Sequence, residues 1–156
     1  MDKRGKTPVT VLLVEDNPAD VRLMRETMSE WKTPVKICHA EDGVEAIEFL
    51  RHQGKFTLAL RPDLIILDLN LPRKDGREIL AEIKNDHYLK NIPVIVLTVS
   101  ESEEDIEKCY NLHANCYINK PFDLDEFIII IKNIENFWLN IVKLPPHKKK
   151  RHEMEN

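Results

Sequence analysis

Short apolar runs alternate with amphipathic stretches along most of the chain. Five of these runs are compact and rich in aliphatic and β-branched residues, which is typical of strands buried on both faces of a parallel sheet. They cover residues 9–14, 35–40, 64–67, 93–97 and 116–118. Apolar residues recur at helical spacing between and after these runs, which predicts five helices. The helices are expected over residues 18–31, 43–53, 78–85 and 103–113, and from about residue 123 onward.

The strict alternation of strands and helices favours a parallel sheet with right-handed crossover connections. We therefore predict an α/β fold in which one doubly wound, five-stranded parallel sheet carries helices on both faces. The expected strand order is 2-1-3-4-5, which is flavodoxin-like. The domain is expected to span residues 9–145, between an N-terminal tail over residues 1–8 and a basic, disordered C-terminal tail over residues 146–156.

Composition narrows the class of protein without identifying a chemistry. The 156 residues carry a net charge of -4, which argues against general nucleic-acid binding because that requires a basic surface. The longest unbroken apolar run, residues 127–131, is far below the ~20 residues that a membrane helix requires. The three cysteines lack the spacing of metal ligands and indicate reduced thiols. We expect a cytoplasmic protein without a membrane span.

Polar residues follow four of the predicted strands at their C-terminal ends. Glu15 and Asp16 end the first strand, and Asp68 ends the third. Thr98 ends the fourth strand, and Lys120 follows the fifth. In doubly wound sheets, ligands bind beyond the C-terminal ends of the strands, where the strand order reverses. These five residues are therefore expected to converge on one edge of the sheet.

Three carboxylates in one small pocket repel one another, and a bound divalent cation removes that repulsion. Mg²⁺, or Mn²⁺ in its place, suits this arrangement because it prefers oxygen ligands and binds carboxylates together with phosphate. Lys120 and the Thr98 hydroxyl would then supply a positive charge and a donor for phosphoryl oxygens. Each residue alone also fits an ordinary role as a helix cap, a turn former or a strand-end hydroxyl. Their shared position favours phosphoryl transfer to Asp68.

The order and spacing of these motifs resemble the receiver domains of bacterial two-component response regulators. The resemblance covers residues 10–141 and rests on Glu15-Asp16, Asp68-Leu69-Asn70-Leu71-Pro72, Gly76, Thr98 and Lys120-Pro121. It implies that Asp68 accepts a phosphoryl group from the phosphohistidine of a sensor histidine kinase. The implied metal ligands are Glu15, with a water between, Asp16, Asp68 and the backbone carbonyl of Asn70.

The same resemblance implies a conformational switch. Lys120 would contact the phosphoryl group and join a cis peptide bond to Pro121. Thr98 would move toward the phosphoryl group while Tyr117 swings inward behind it. Such a regulator takes part in phosphoryl transfer to itself and then loses the group slowly. We therefore do not expect an enzyme that turns over a substrate.

A narrower resemblance is to the single-domain response regulators that partner cyanobacterial phytochromes. It rests on residues 68–80, on the extended connection over residues 51–62 and on the segment 134–145. It implies a phytochrome-type histidine kinase as the partner. Too few residues follow the last predicted helix for a DNA-binding domain. The output is therefore expected to pass through protein–protein contacts.

The last predicted helix carries more apolar residues than one core needs. Its expected inward stripe consists of Leu124, Phe127, Ile131, Ile134 and Trp138. The residues that widen the apolar face beyond this stripe are Ile130, Phe137 and Ile141. Such a patch favours a homodimer through this helix. The alternative is a helix tucked more deeply under its own domain.

Three other functions stay open on the sequence. One is a receiver-like scaffold that acts without phosphate. An aspartate-nucleophile phosphatase would resemble this fold, but its second Asp, two residues after the nucleophile, is replaced here by Asn70. A flavin-binding module would need a phosphate loop after the first strand, where Glu15 and Asp16 would repel the anion.

Overall fold

In the computed structural model, which describes residues 8–146, five strands alternate with five α-helices. The strands are β1 (Val9–Val14), β2 (Val35–Ala40), β3 (Leu64–Leu67), β4 (Val94–Thr98) and β5 (Cys116–Asn119). The helices are α1 (Pro18–Met28), α2 (Gly43–Leu50), α3 (Gly76–Asn85), α4 (Glu103–Asn111) and α5 (Leu124–Glu135). No helix within this range is long and apolar enough to cross a membrane. Apart from Pro8 and Pro146, the predicted tails lie outside the described residues.

The strands form one parallel sheet in the order β2-β1-β3-β4-β5. Successive residues of β1 face opposite sides of this sheet because strand side chains alternate in direction. Leu12 and Val14 pack into one core with α2 and α3, while Val11 and Leu13 pack into a second core with α1 and α5. A strand with apolar side chains on both of its faces can thus contribute to both cores. The predicted fold class and strand order are confirmed.

Side chains cap the N-termini of all five α-helices and so set where each helix begins. The capping residues are Asn17, Asp42, Asp75, Ser102 and Asp123. The cap at Asp75 starts α3 two residues before the predicted position 78. Helix α2 ends at Leu50, before the predicted stop, because His52 and Gly54 adopt left-handed φ angles of 56° and 58°.

The expected inward stripe of α5 is correct along the middle of the helix and wrong at its start. Phe127, Ile131 and Ile134 are buried. Leu124 is 60% exposed, because it is the first residue of α5 and lies almost one turn before Phe127, where the helix reaches the core.

A π-helical segment (Asn136–Ile141) continues α5 and changes the direction of the side chains that follow. The Val142 N–H donates to the Phe137 carbonyl oxygen at 2.9 Å, closing the wider turn. Trp138 is half-buried, while Phe137 and Ile141 are exposed. The end of the last helix therefore presents apolar surface.

Gly43 opens α2 at a point of close backbone approach. Its N–H donates to the Pro72 carbonyl oxygen at 3.4 Å, and a Cβ at this position would overlap the Lys74 carbonyl oxygen.

Ala ordinarily favours a helix over Gly by about 0.5–1 kcal/mol. We expect Gly43→Ala instead to lower the free energy of unfolding by roughly 1–3 kcal/mol, because the loop must move. Urea denaturation would show a lower midpoint at an unchanged m value. A midpoint at or above that of the wild type would contradict the close packing.

Candidate functional site

Three carboxylates meet at the C-terminal edge of β1 and β3. Ligand oxygens of Glu15, Asp16 and Asp68 all lie within 4.8 Å of one another. Parallel pairing aligns Val14 with Leu67, and the Asp68 N–H donates to the Val14 carbonyl oxygen at 3.0 Å. The residues that follow the two strands therefore emerge side by side. Glu15 and Asp68 are buried, whereas Asp16 is exposed.

The loop after Asp68 is folded tightly against the start of α3. The Gly76 N–H donates to the Leu69 carbonyl oxygen at 2.9 Å, and a Cβ on Gly76 would overlap the Asp68 carbonyl oxygen. Asn70 is exposed in this loop, and its N–H donates to Asp68 Oδ1 at 3.4 Å. A metal contact from the Asn70 carbonyl stays a prediction.

Lys120 reaches the cluster from the end of β5, and its side chain is buried. Its Nζ donates to Glu15 Oε1, to Asp20 Oδ2 at 2.9 Å and to Asp68 Oδ2 at 3.2 Å. Burial and the nearby charge of Asp68 raise the pKa of Glu15 to about 7, although the bond from Lys120 acts in the opposite direction. Burial alone would lower the pKa of Lys120, but its hydrogen bond to Glu15 and the surrounding carboxylates raise it.

Asp20 also contacts Lys120, although it does not follow a strand. It lies in the first turn of α1, where its N–H donates to the capping oxygen of Asn17 at 3.2 Å. The sequence carried no strand-end signal for Asp20, because its contact with Lys120 depends on how α1 is oriented.

Thr98 is completely buried beside the cluster, at the end of β4. Its backbone carbonyl accepts the Lys120 N–H at 2.8 Å. Its hydroxyl oxygen is buried without a hydrogen-bond partner among residues 8–146. A buried hydroxyl without a partner is costly, so this oxygen is a candidate contact for a group that enters the site.

Tyr117, the predicted switch partner of Thr98, lies on β5 and is half-buried. Its hydroxyl donates to the Ser100 carbonyl oxygen at 2.9 Å. The side chain of Asn119 donates to the same oxygen. Two residues of β5 therefore hold the loop that follows Thr98.

An ion pair anchors the other side of this loop. Ser100 Oγ donates to Asp105 Oδ2 at 2.6 Å, and Arg77 contacts both oxygens of Asp105 at 2.8 and 2.7 Å. Arg77 also donates to Asp75 at 2.9 Å. The bond from Arg77 holds the pKa of Asp105 below its usual range. This link joins α3 to α4 across 28 residues, and the sequence pattern did not indicate it.

The cis peptide bond expected before Pro121 is not present, since the described part of the chain contains no cis peptide. The trans form of a bond before proline is favoured by about 0.5–1 kcal/mol in the absence of other constraints. Lys120 still reaches Glu15, Asp20 and Asp68 with this bond in the trans form.

The donor set fits a hard divalent cation. It offers three carboxylates whose ligand oxygens lie within 4.8 Å of one another, and such cations prefer oxygen ligands. The raised pKa of Glu15 reflects both burial and repulsion from Asp68. A cation relieves that repulsion by stabilising the charged form of both groups.

Residues 11–132 match the response regulator receiver domain family. The chain belongs to this family. Response regulator Rcp1 of Synechocystis sp. is 46% identical over 145 residues, which cover 93% of this chain and 99% of that protein. The probable methanogenesis regulatory protein FilR2 of Methanothrix harundinacea is 35% identical over 142 residues, which cover 90% of each chain.

Two solved receiver structures share the fold closely. The Mn²⁺-bound form of Rcp1 is 47% identical, with a TM-score of 0.87 over 89% of this chain and 100% of that chain. The phosphorylated cyanobacterial phytochrome response regulator RcpA is 50% identical, with a TM-score of 0.87 over 90% and 100% of the two chains. The resemblance to phytochrome response regulators is confirmed. The protein is a receiver-type response regulator of two-component signalling.

The link between Arg77 and Asp105 predicts a pH-dependent contribution to stability. We expect Asp105→Asn to lower the free energy of unfolding at pH 7 by about 1.5–3 kcal/mol, the usual contribution of hydrogen bonds to charged groups. A carboxylate whose pKa is lower in the folded state than in the unfolded state stabilises the fold at pH values above its unfolded-state pKa. This stabilisation disappears as the pH falls through the folded-state pKa. The difference from the wild type should therefore narrow below about pH 4.

Denaturant titrations at pH 7 and pH 3 would measure this difference. Glu104→Gln, an exposed change on the same helix, is the control and should stay within about 0.5 kcal/mol of the wild type at both pH values. A loss for Asp105→Asn that is equal at both pH values would contradict the role of the ionised carboxylate.

Proposed function

We propose that this protein is a phosphorylation switch, in which the Asp68 carboxylate accepts a phosphoryl group from a phosphohistidine of a sensor histidine kinase. The proposal is carried by one observation: Asp68 is buried beside two further carboxylates and within 3.2 Å of the Lys120 ammonium. A nucleophilic carboxylate, a fixed cation and a set of oxygen ligands are the groups that phosphoryl transfer uses. We propose residues 9–145 as the domain that performs it.

The metal ligands in this proposal are Asp16, Asp68 and the backbone carbonyl of Asn70, with Glu15 alongside. Mg²⁺ is the proposed ion, and Mn²⁺ would occupy the same site. When bound, such an ion neutralises charge on the transferring phosphoryl group. The solved structure of the relative Rcp1 is of a Mn²⁺-bound form, which supports a divalent metal here.

In the proposed reaction an Asp68 carboxylate oxygen attacks the phosphorus atom of the phosphohistidine. A P–O bond forms, the P–N bond breaks, and the kinase imidazole leaves with the electron pair and takes up a proton. Lys120 bonds to a phosphoryl oxygen in place of the Asp68 oxygen that it now contacts. The product is an acyl phosphate on Asp68.

The switch begins at Thr98, whose buried hydroxyl has no hydrogen-bond partner in the described range. We propose that this hydroxyl moves to donate to a phosphoryl oxygen. Its movement displaces the loop that carries Ser100, whose carbonyl holds the Tyr117 hydroxyl. Tyr117 then turns inward, and the changed surface is what partner proteins contact.

The proposed kinase is of the phytochrome type. Support comes from the 50% identity to RcpA, a cyanobacterial phytochrome response regulator that was crystallised in its phosphorylated form. The identity to Rcp1 extends over 99% of that protein, so the likeness is not confined to the phosphorylation motifs.

The proposed output includes a homodimer through α5 and the π-helical segment. Ile130, which the sequence placed in the patch, is half-buried against the core, and Ile129 is exposed instead. Ile129, Phe137 and Ile141 are between 48% and 61% exposed, which is unusual for such large apolar side chains on one short stretch. Beside them, a groove of about 730 Å³ runs between β5 and the end of the last helix, lined by residues that include Ile118 and Trp138. The apolar patch and groove together suit a self-complementary interface.

Intact mass spectrometry tests the phosphoacceptor. With Mg²⁺ and a phosphorylated histidine kinase, we expect the wild type to gain the mass of one phosphoryl group and Asp68→Asn to gain none. Asp125→Asn, an exposed change on α5, is the control and should gain the group as the wild type does. An adduct that persists in Asp68→Asn would contradict the assignment, and no adduct on the wild type from any competent kinase would favour a phosphate-independent scaffold.

Sedimentation velocity tests the dimer. We expect Phe137→Glu to raise the dimer dissociation constant by at least about tenfold, because the interface would bury an unpaired charge. Phe122→Glu is the matched control, since Phe122 is fully exposed and lies outside the patch. A wild type that stays monomeric at high concentration, with and without phosphorylation, would rule out the dimer.

A further inference from the structure

Lys120 has one more carboxylate partner than the metal cluster supplies. Its Nζ contacts Glu15 and Asp68, which belong to the cluster, and Asp20 at 2.9 Å, which does not. We propose that Asp20 is a positioning residue for Lys120, holding the ammonium when a cation takes the oxygens of Glu15 and Asp68. This inference rests on the metal site of the proposed function.

Asp20 is fixed in place by the fold. It lies in the first turn of α1, and its N–H is held by the capping side chain of Asn17 at 3.2 Å. Its carboxylate therefore faces the site from a helix and not from a loop. The Asp20 side chain is 26% exposed, while the Lys120 side chain is only 5% exposed. Asp20 thus lies between the buried Lys120 ammonium and the solvent.

Without a cation, Lys120 and an incoming metal compete for the same oxygens. The ammonium lies 3.2 Å from Asp68 Oδ2 and bonds to Glu15 Oε1. A cation that draws these carboxylates away would leave the ammonium buried without a counter-charge if no other acid were present. Asp20 prevents this because it lies outside the cluster and keeps its bond to Lys120.

The direction of the effect follows from this competition. Removing the Asp20 charge leaves Lys120 with Glu15 and Asp68 alone, so the ammonium holds them more firmly against the cation. The loss of a negative charge near the site also weakens cation binding. Both effects lower metal affinity, and a double-mutant cycle with Lys120 separates them.

Calorimetric titration with Mn²⁺ at physiological ionic strength would test the proposal. We expect Asp20→Asn and Asp20→Ser to weaken Mn²⁺ binding by about tenfold, the lower end of the usual loss when an outer-shell partner of a metal site is removed. Asp20→Glu should restore most of the affinity. Glu26→Gln, an exposed change on the same helix, should leave it within about twofold of the wild type. In a Lys120→Met background, Asp20→Asn should have a several-fold smaller effect.

The outcomes separate this inference from the function on which it rests. Unchanged affinity in both neutral variants would overturn the role of Asp20. An equal loss with and without Lys120 would also overturn it, because Asp20 would then act only through its charge. A wild type that does not bind Mn²⁺ would instead remove the proposed metal site itself.

Discussion

The site depends on one constraint, which is that the buried ammonium of Lys120 must be neutralised. A buried charge without a partner is strongly destabilising, so Lys120 requires the carboxylates around it. The reverse also holds, because Glu15 and Asp68 repel each other and the ammonium lies between them. The bonds of Lys120 to Glu15 and Asp68 therefore balance the charges of these groups, and in the proposed function a cation or a phosphoryl group takes over these bonds.

The sheet supplies this arrangement without any special local structure. Parallel pairing of β1 with β3 aligns their ends, so Glu15 and Asp68 emerge together. β4 brings Thr98 to the same edge, and the bond between the Lys120 N–H and the Thr98 carbonyl fixes where the lysine enters. The apolar cores on both faces of the sheet hold the strand ends rigid. Packing elsewhere in the domain thus offsets the cost of holding the repelling acids together.

The sequence pattern predicted the positions of residues that follow strands. It missed the contacts that side chains on helices make with other elements. Asp68, Thr98 and Lys120 were found because every parallel strand brings its C-terminal residue to the same edge. Asp20 and the Arg77–Asp105 link join helices to other elements, and their contacts depend on helix rotation, which no periodicity specifies. The inward assignment of Leu124 failed for a related reason, since helical spacing does not show where along its length a helix meets the core.

The loop after Thr98 is held through two groups of Ser100, its hydroxyl and its backbone carbonyl. Ser100 is tied to Asp105 and through it to Arg77, and its carbonyl also holds Tyr117. Thr98, two residues earlier, has a buried hydroxyl with no partner in the described structure, so a hydrogen bond to a group that enters the site would stabilise it. In the proposed switch, an acceptor in the site favours movement of Thr98, and the ion pair of Arg77 with Asp105 opposes it. The proposed switch would then depend on the balance between the unmade hydrogen bond of Thr98 and the anchored loop.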